Sequence, residues 1–504
     1  MNLQYPVRET IISQLIGIAE SQPDALAVID RGRGYTYGSL RQGVQAAAAW
    51  LHHTGVRAGD IAALSLDFSP HTSLRSMHLL FGLAYLGAAI VPLHPDVPFA
   101  RRAVLVDRFK ARWLLSSLAI STAANVSAID PAVFDPRDPR WMALKPPRGD
   151  APERPFIYFF TTGTTGTPKA CLLSFGQFAM MQRMVGVMLD TLASDRLLPA
   201  VPWPSVVGLR SLFRTIDYGA VFVNERFPET REELARLASL AGVTQLSCSP
   251  WQARRLLKSD SPTGLDFAKL RVLCVMGAPV SPQELETLCS AITPNVYVSY
   301  GSNETGMLAT LRPENRLIFP GKVGQINPGI EAQTVDDKGC ILPPGASGQL
   351  RFRAPWFAQG YVGNEAASKQ RFRDSWFYPG DQGEIDARGY LTLRGRSDDI
   401  INFGGTKIAP SDIEAVLVQH PDVIDAAVVG VPDPMSGELP VAFVVVRRNM
   451  PARELGKFCA GQIDGARLPP RYVSVSAIPH NPGGKVQRDR LRELYLERVV
   501  TPGN

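Results

Sequence analysis

The stretch IYFFTTGTTGTPKACLLS, Ile157 to Ser174, decides the fold. It opens on the apolar run FIYFF, Phe156 to Phe160, whose aromatic and branched side chains read as a buried strand. The chain then turns abruptly polar, with threonines, two glycines, Pro168 and Lys169 packed between Thr161 and Lys169. Glycine lets successive backbone N–H groups converge on an anion, hydroxyls add donors, and lysine adds a compact positive charge. A cluster of that kind directly after a buried strand predicts a phosphate-binding loop formed by Thr161, Thr162, Gly163, Thr164, Thr165, Gly166, Thr167 and Lys169. The alternative is a polar turn with no ligand. The loop is neither the G-x-x-x-x-G-K-[ST] nucleotide loop nor the dinucleotide G-x-G-x-x-G.

Outward from this loop, strands alternate with helices. Upstream, Ser39–His52 and Ser73–Leu86 have helical spacing, while Ile61–Leu66 and Ala88–Leu93 read as short strands. The Pro-rich, charged segment from Pro131 to Pro155 reads as a solvated connector. Downstream, strands at Val243–Cys248 and Leu270–Met276 alternate with helices at Pro250–Leu257 and Pro282–Ala291. From Gly321 to Arg394 the pattern becomes short strands with Gly and Asp turns, and after Arg396 a compact α+β segment follows. The expected fold is α/β: a large N-terminal domain (1–396) of layered α/β subdomains plus a small β-rich subdomain, and a mobile α+β C-terminal domain (397–504).

Composition narrows the function. The chain has 504 residues, about three domain-sized units, with 45% hydrophobic and 20% charged residues, an ordinary globular balance. A net charge of +6 comes without any basic stripe, so nucleic acid is not an expected partner, whereas small anions are. The six cysteines are scattered without a C-x-x-C pair, which argues against a disulfide framework or zinc knuckle and for a reducing, cytoplasmic setting. No histidine falls between His94 and His420, so a site on the central chain works without a histidine base. The N-terminus lacks the pattern of a signal peptide. The apolar run Leu79–Leu93 is shorter than the roughly 20 residues a membrane span needs and reads as a buried helix running into a strand.

Five further stretches, taken with the loop, resemble the adenylate-forming superfamily of acyl-CoA synthetases, stand-alone adenylation domains and beetle luciferases. The loop is similar to that family's [YF]-T-S-G-[ST]-T-G-x-P-K-G, with Thr162 and Ala170 as departures. YLGAAIVPLHPDVP from Tyr85, VMGAPVSPQEL from Val275 and SYGSNETG from Ser299 follow in the family's order. So do the long run from Gly360 through GRSDDIINFGGTKIAPSDIE and the terminal NPGGKVQR from Asn481. Together they cover almost the whole chain.

The resemblance implies an AMP-forming acid–thiol ligase: a carboxylic acid and ATP with Mg2+ give acyl-AMP and pyrophosphate, and a thiol then takes the acyl group. Coenzyme A is the expected thiol, with an acyl or peptidyl carrier protein's phosphopantetheine arm as the alternative. By the same resemblance, Thr161–Lys169, with Thr165 among the catalytic residues, wraps the β- and γ-phosphates. Tyr300 stacks on adenine beside Gly277, Ala278 and Gly301, and Glu304 holds the metal. Asp381 binds the ribose hydroxyls with Arg396 nearby. Lys485 bridges the substrate carboxylate and α-phosphate, Asp398 is the hinge, and Gly404 and Gly405 line the thiol's passage. For the two glycines, a β-turn needing positive φ is the alternative.

Two departures stand out. Asn303 occupies a position where the family has threonine, and Ser205, in VPWPSVVGLRSLF, stands where the family often has histidine. No acid occurs from Pro204 to Phe213, so an α-amino acid would lack a counter-ion for its ammonium and is expected to be rejected. Arg210 reads as pointing to solvent; with Trp203, its alternative is recognition of an aryl or acidic carboxylate.

Overall fold

The computed structural model describes residues 9–65, 73–93, 99–116, 126–161, 169–201, 203, 205–258, 265–278, 280–396, 399–404, 406–448, 450–480 and 486–500. Three sheets organise them. In the first, Ser127–Ile129, Trp113–Ser116, Ile61–Ser65, Ala89–Pro92 and Pro155–Thr161 run parallel in that spatial order. Lys169–Ser174 then folds back antiparallel on the edge. The strands in the middle of this sheet are buried on both faces, which is why they read as continuous apolar runs.

The second sheet has a parallel centre, in the order Leu26–Asp30, Val221–Asn224, Arg196–Leu198, Gln245–Cys248, Val272–Met276 and Val296–Ser302. Beyond Val296–Ser302 it continues antiparallel through Gly306–Leu311 and Gly324–Ile326 into the short strands up to Tyr390–Arg396. The β-rich part expected from Gly321 onward is therefore hydrogen-bonded into the same sheet. One continuous core joins Leu64, Ile90 and Ile157 of the first sheet to Val28, Phe222 and Leu308 of the second. It takes in the helices Tyr37–His53, Ser73–Tyr85, Phe175–Met188 and Val206–Asp217. A third sheet, Ile401–Phe403, Thr406–Ile408, Val423–Asp433, Gly437–Val446 and Arg471–Ser474, has cores of its own.

The run Leu79–Leu93 is a buried helix followed by a strand, as its Gly and Pro interruptions required. No helix among the described residues is long and apolar enough to cross a membrane. Helices Tyr37–His53 and Ser73–Tyr85 approach so closely that a Cβ on Gly43 would lie 2.3 Å from Nε2 of buried His78. The connector Pro131–Pro155 is less solvated than its composition suggests. Phe134 is fully buried with its ring 5.2 Å from Trp50, and Gly149 donates its N–H to the Tyr85 carbonyl. An isolated aromatic in a polar run escapes a composition reading, yet burying it is favourable by about 2 kcal/mol.

Candidate active site

The site forms where the loop-bearing strands of the first sheet meet a hairpin of the second. Thr161 and Lys169 are directly opposite each other in the antiparallel ladder, which fixes both ends of the loop. Its residues Thr162, Gly163, Thr164, Thr165, Gly166 and Thr167 lie outside the described residues, as do Asp398, Gly405 and Lys485. Lys169 sits with Nζ 5.4 Å from the centre of the Tyr361 ring. The Tyr361 hydroxyl donates to Oε1 of Glu304 at 2.7 Å. This tyrosine, which sequence reading passed over inside GYVGN, links the lysine to the glutamate.

Glu304 is on the turn Asn303–Thr305 between Val296–Ser302 and Gly306–Leu311. The turn closes tightly: a Cβ on Gly301 would lie 2.0 Å from the Gly306 carbonyl oxygen. Gly301 is thus demanded by the backbone, independently of any ligand. Asn303 donates from Nδ2 to the Phe160 carbonyl at 3.0 Å, tying the turn to the strand Pro155–Thr161. Glu304 is 6% exposed, and Tyr361 is its one hydrogen-bond donor to the side chain among the described residues. Burial pushes the Tyr361 hydroxyl far up, and the neighbouring Glu304 carboxylate adds to that.

Arg210 corrects an expectation. It turns inward from Val206–Asp217, donates from Nη2 to the Asn303 carbonyl at 2.6 Å and from Nη1 to the Ser302 carbonyl at 3.4 Å, and covers the Phe159 ring at 4.9 Å. Burial lowers its pKa to about 10, against the pull of Cys171 and Glu304. Helical spacing alone could not show that this face is the inner one. Ser205 caps the same helix, accepting from the Gly208 N–H at 3.0 Å. A small hydroxyl thus caps the start of the helix at the position where the resembled family often has histidine.

A second group of expected residues also converges. Tyr300 donates its hydroxyl to Oδ2 of Asp381. Asp381 is paired in register with Arg396, whose Nε lies 3.6 Å from Oδ1. Tyr300 is raised well above the ordinary tyrosine range, by burial first and then by the Asp381 charge. Gly277, at φ +96°, and Ala278 are exposed at the end of Val272–Met276, whose Met276 is in register with Ser299. Gly404 stands apart from these groups, at φ +55° in the two-residue hairpin between Ile401–Phe403 and Thr406–Ile408, with open space where its Cβ would be. The hairpin by itself accounts for that glycine.

A buried carboxylate, Lys169 and a Tyr–Asp–Arg cluster, gathered where the strands on either side of the Thr/Gly-rich stretch meet the second sheet, are the set expected of an adenylate-forming enzyme. The chain belongs to the AMP-binding enzyme family, which matches residues 17–362, with the family's C-terminal domain at 412–485. It is 31% identical to a 2-succinylbenzoate–CoA ligase of Bacillus licheniformis over 94% of this chain and 98% of that one. A fatty acid–[acyl-carrier-protein] ligase, ScoC, of Streptomyces coeruleorubidus is 28% identical over 98% of each. Among solved structures, the O-succinylbenzoate coenzyme A synthetase of Bacillus subtilis in complex with AMP superposes with a TM-score of 0.82 at 25% identity, covering 96% of this chain and 98% of that one. The protein is an AMP-forming acid–thiol ligase: it activates a carboxylic acid with ATP to an acyl-adenylate and transfers the acyl group to a thiol.

Proposed function

We propose that the chain activates a carboxylic acid without an α-ammonium group, using MgATP, and delivers the acyl group to coenzyme A. The observation that carries this is the convergence on one turn of Arg210, Tyr361 and the Phe160 strand around Glu304. Glu304 suits a magnesium ligand. Its Oε1 accepts from Tyr361, and it is buried at the turn beside the strand that bears Lys169. No cluster of three His, Cys, Asp or Glu occurs among those residues, so phosphate oxygens and water would complete the shell, as hard Mg2+ prefers. When bound, Mg2+ neutralises charge on the phosphates.

In the same reading, Thr161–Lys169 holds the phosphates and Tyr300, with Gly277 and Ala278, holds the adenine. Asp381 accepts from the ribose hydroxyls. Arg210 positions the turn by fixing the Ser302 and Asn303 carbonyls. Lys485 supplies the charge that lets two anions meet, the dominant requirement of the first half-reaction. The chain divides at 396/397, with Asp398 as hinge; the separate sheet and cores on the far side support that division. Gly404 and Gly405 face the incoming thiol after the C-terminal part rotates. A cytoplasmic setting fits six free cysteines.

The Bacillus relatives favour coenzyme A. The Streptomyces relative favours a carrier-protein arm as the second reading. Incubation with an acid panel, MgATP and free coenzyme A decides between them: release of AMP and a CoA thioester supports the first. Acyl-AMP that accumulates while CoA is untouched makes a carrier protein the acceptor.

A further inference from the structure

The helix Pro250–Lys258, in the part of the chain matched at 17–362, touches the C-terminal domain through two side chains. The Trp251 ring lies 5.9 Å from the His480 ring, and Arg254 Nη1 lies 3.5 Å from Oδ1 of Asp425. Asp425 is on the strand Val423–Asp433, and its Oδ2 is 3.6 Å from Nε2 of His480. The other ring nitrogen, Nδ1, donates to the Ile478 carbonyl at 2.9 Å. Nε2 is therefore the nitrogen left for Asp425, and it carries a proton toward that carboxylate as the imidazolium. At 3.5 and 3.6 Å these are charge contacts rather than hydrogen bonds. The Asp425 and His480 side chains keep only 10% and 11% of their exposure, so water and salt screen the contacts little.

The face that the helix presents is built without the C-terminal domain. Arg254 donates from Nε to Oε1 of Glu284, whose Oε2 accepts from the Ser281 N–H at 2.9 Å in a capping box. The Arg255 guanidinium covers Trp251 at 4.9 Å and is bonded to Glu229 at 2.8 Å. Gln252 ties the first turn to the Ala200 carbonyl at 2.6 Å. The helix leaves the carboxyl end of Gln245–Cys248, beside which Val272–Met276 and Val296–Ser302 run parallel in register. Gly277 and Tyr300 are at that same end, the edge at which parallel sheets hold their ligands. Across the contact, His480 pairs with Val486 in an antiparallel bridge, and the Gln487 N–H donates to the Pro479 carbonyl at 2.8 Å. The contact therefore fixes Val486, the chain neighbour of Lys485, at the edge of the sheet that bears Tyr300.

We propose that Trp251 and Arg254, with Asp425 and His480, form a latch that holds the C-terminal domain in the arrangement for acyl-AMP formation, which makes them positioning residues for Lys485. This rests on the reading that the chain divides at 396/397 and that Lys485 serves the first half-reaction. When the domain rotates for thiol transfer, Arg254 keeps Glu284 and Trp251 keeps Arg255, while Asp425 and His480 exchange these partners for water. The latch thus biases the two arrangements without locking either. Charges paired in this way shift such an equilibrium about 5-fold, little enough to be broken in every turnover.

The test uses the full chain and reads both half-reactions and the domain arrangement. Asp425→Asn keeps the shape and the acceptor for the Ala426 N–H, and removes the charge that Arg254 and His480 face. ATP–pyrophosphate exchange with a panel of aliphatic and aryl carboxylic acids should fall about 5-fold, while thioester formation from supplied acyl-AMP and coenzyme A should hold or rise. Asp425→Glu, which keeps the charge, should recover part of the exchange. If Asp425→Asn fails to fold, His480→Gln should show the same imbalance. Nitroxides on Leu240→Cys and Met435→Cys, both exposed positions, with Cys289 and Cys340 replaced by serine, report the domain arrangement without any acid. The wild type should give one dominant distance, and Asp425→Asn should raise the share of a second about 5-fold. Equal loss in both half-reactions, an unchanged ratio between them, or identical distance distributions overturns the latch. Full exchange by Lys485→Ala refutes the role given to Lys485 and this proposal with it. Lost exchange in Lys485→Ala beside an unaffected Asp425→Asn refutes the latch alone.

Discussion

Replacing Arg210 by methionine separates stability from catalysis. Keeping a charge at that position is costly: burial takes the pKa down from the ordinary guanidinium range to about 10, which is about 3 kcal/mol against the ionised form. Against this stand two hydrogen bonds from a charged donor. The one to Asn303, at 2.6 Å, is worth about 1.5–3 kcal/mol. The one to Ser302, at 3.4 Å, is weaker. Lying over Phe159 adds roughly 1 kcal/mol. The terms nearly cancel, so Arg210→Met, similar in length and apolar, should shift unfolding free energy by no more than about 1–2 kcal/mol. The turn, however, loses its clamp from the helix side. A displacement of Glu304 by about 1 Å costs on the order of 100-fold in rate. Urea unfolding and ATP–pyrophosphate exchange on the same preparation read the two effects. A destabilisation above about 4 kcal/mol would show that Arg210 holds the fold, and full exchange activity would show that it does not hold the turn; either result refutes the reasoning.

Three other outcomes are expected. Tyr361→Phe keeps the ring under Lys169 and removes the donor to buried Glu304, so stability should fall by about 1.5–3 kcal/mol in urea unfolding and the magnesium requirement for exchange should change. Burial lowers His78 to about 4 from 6.5, so on acidification the unfolded chain takes a proton that the native state refuses. Stability from this group is intact above pH 6.5 and falls by about 2.5 kcal/mol by pH 4.5, a loss that His78→Leu should remove from the unfolding profile. Asp217, raised to about 6 by burial despite Arg183, acts in the opposite sense, which is why the comparison must be between variant and wild type. Lys485→Ala should cut acyl-AMP formation by two or more orders of magnitude, about 3–4 kcal/mol, and spare thioester formation from supplied acyl-AMP; equal loss in both steps would count against the assigned role.

The sequence by itself determined the class. Adjacent chemistry is legible: Thr161–Lys169 after an apolar strand, SYGSNETG and NPGGK each carry their meaning within a few residues, because a loop's backbone and charge are set locally. Periodicity likewise placed the helices Tyr37–His53 and Pro282–Ala291 and the buried strands to within a residue or two. What lay beyond it were partnerships across long separations. Tyr361 meets Glu304 across 57 residues and Tyr300 meets Asp381 across 81, and neither spacing has a pattern. Nor could the sequence say which face of Val206–Asp217 is buried. Arginines four apart on a helix read as a solvated stripe, since charge ordinarily faces water. Only the packing of that helix against its neighbour and the sheet turns Arg210 toward the turn and encloses Arg214. Whether a charge is solvated or buried is a property of what surrounds it in space, and that is set by the tertiary fold.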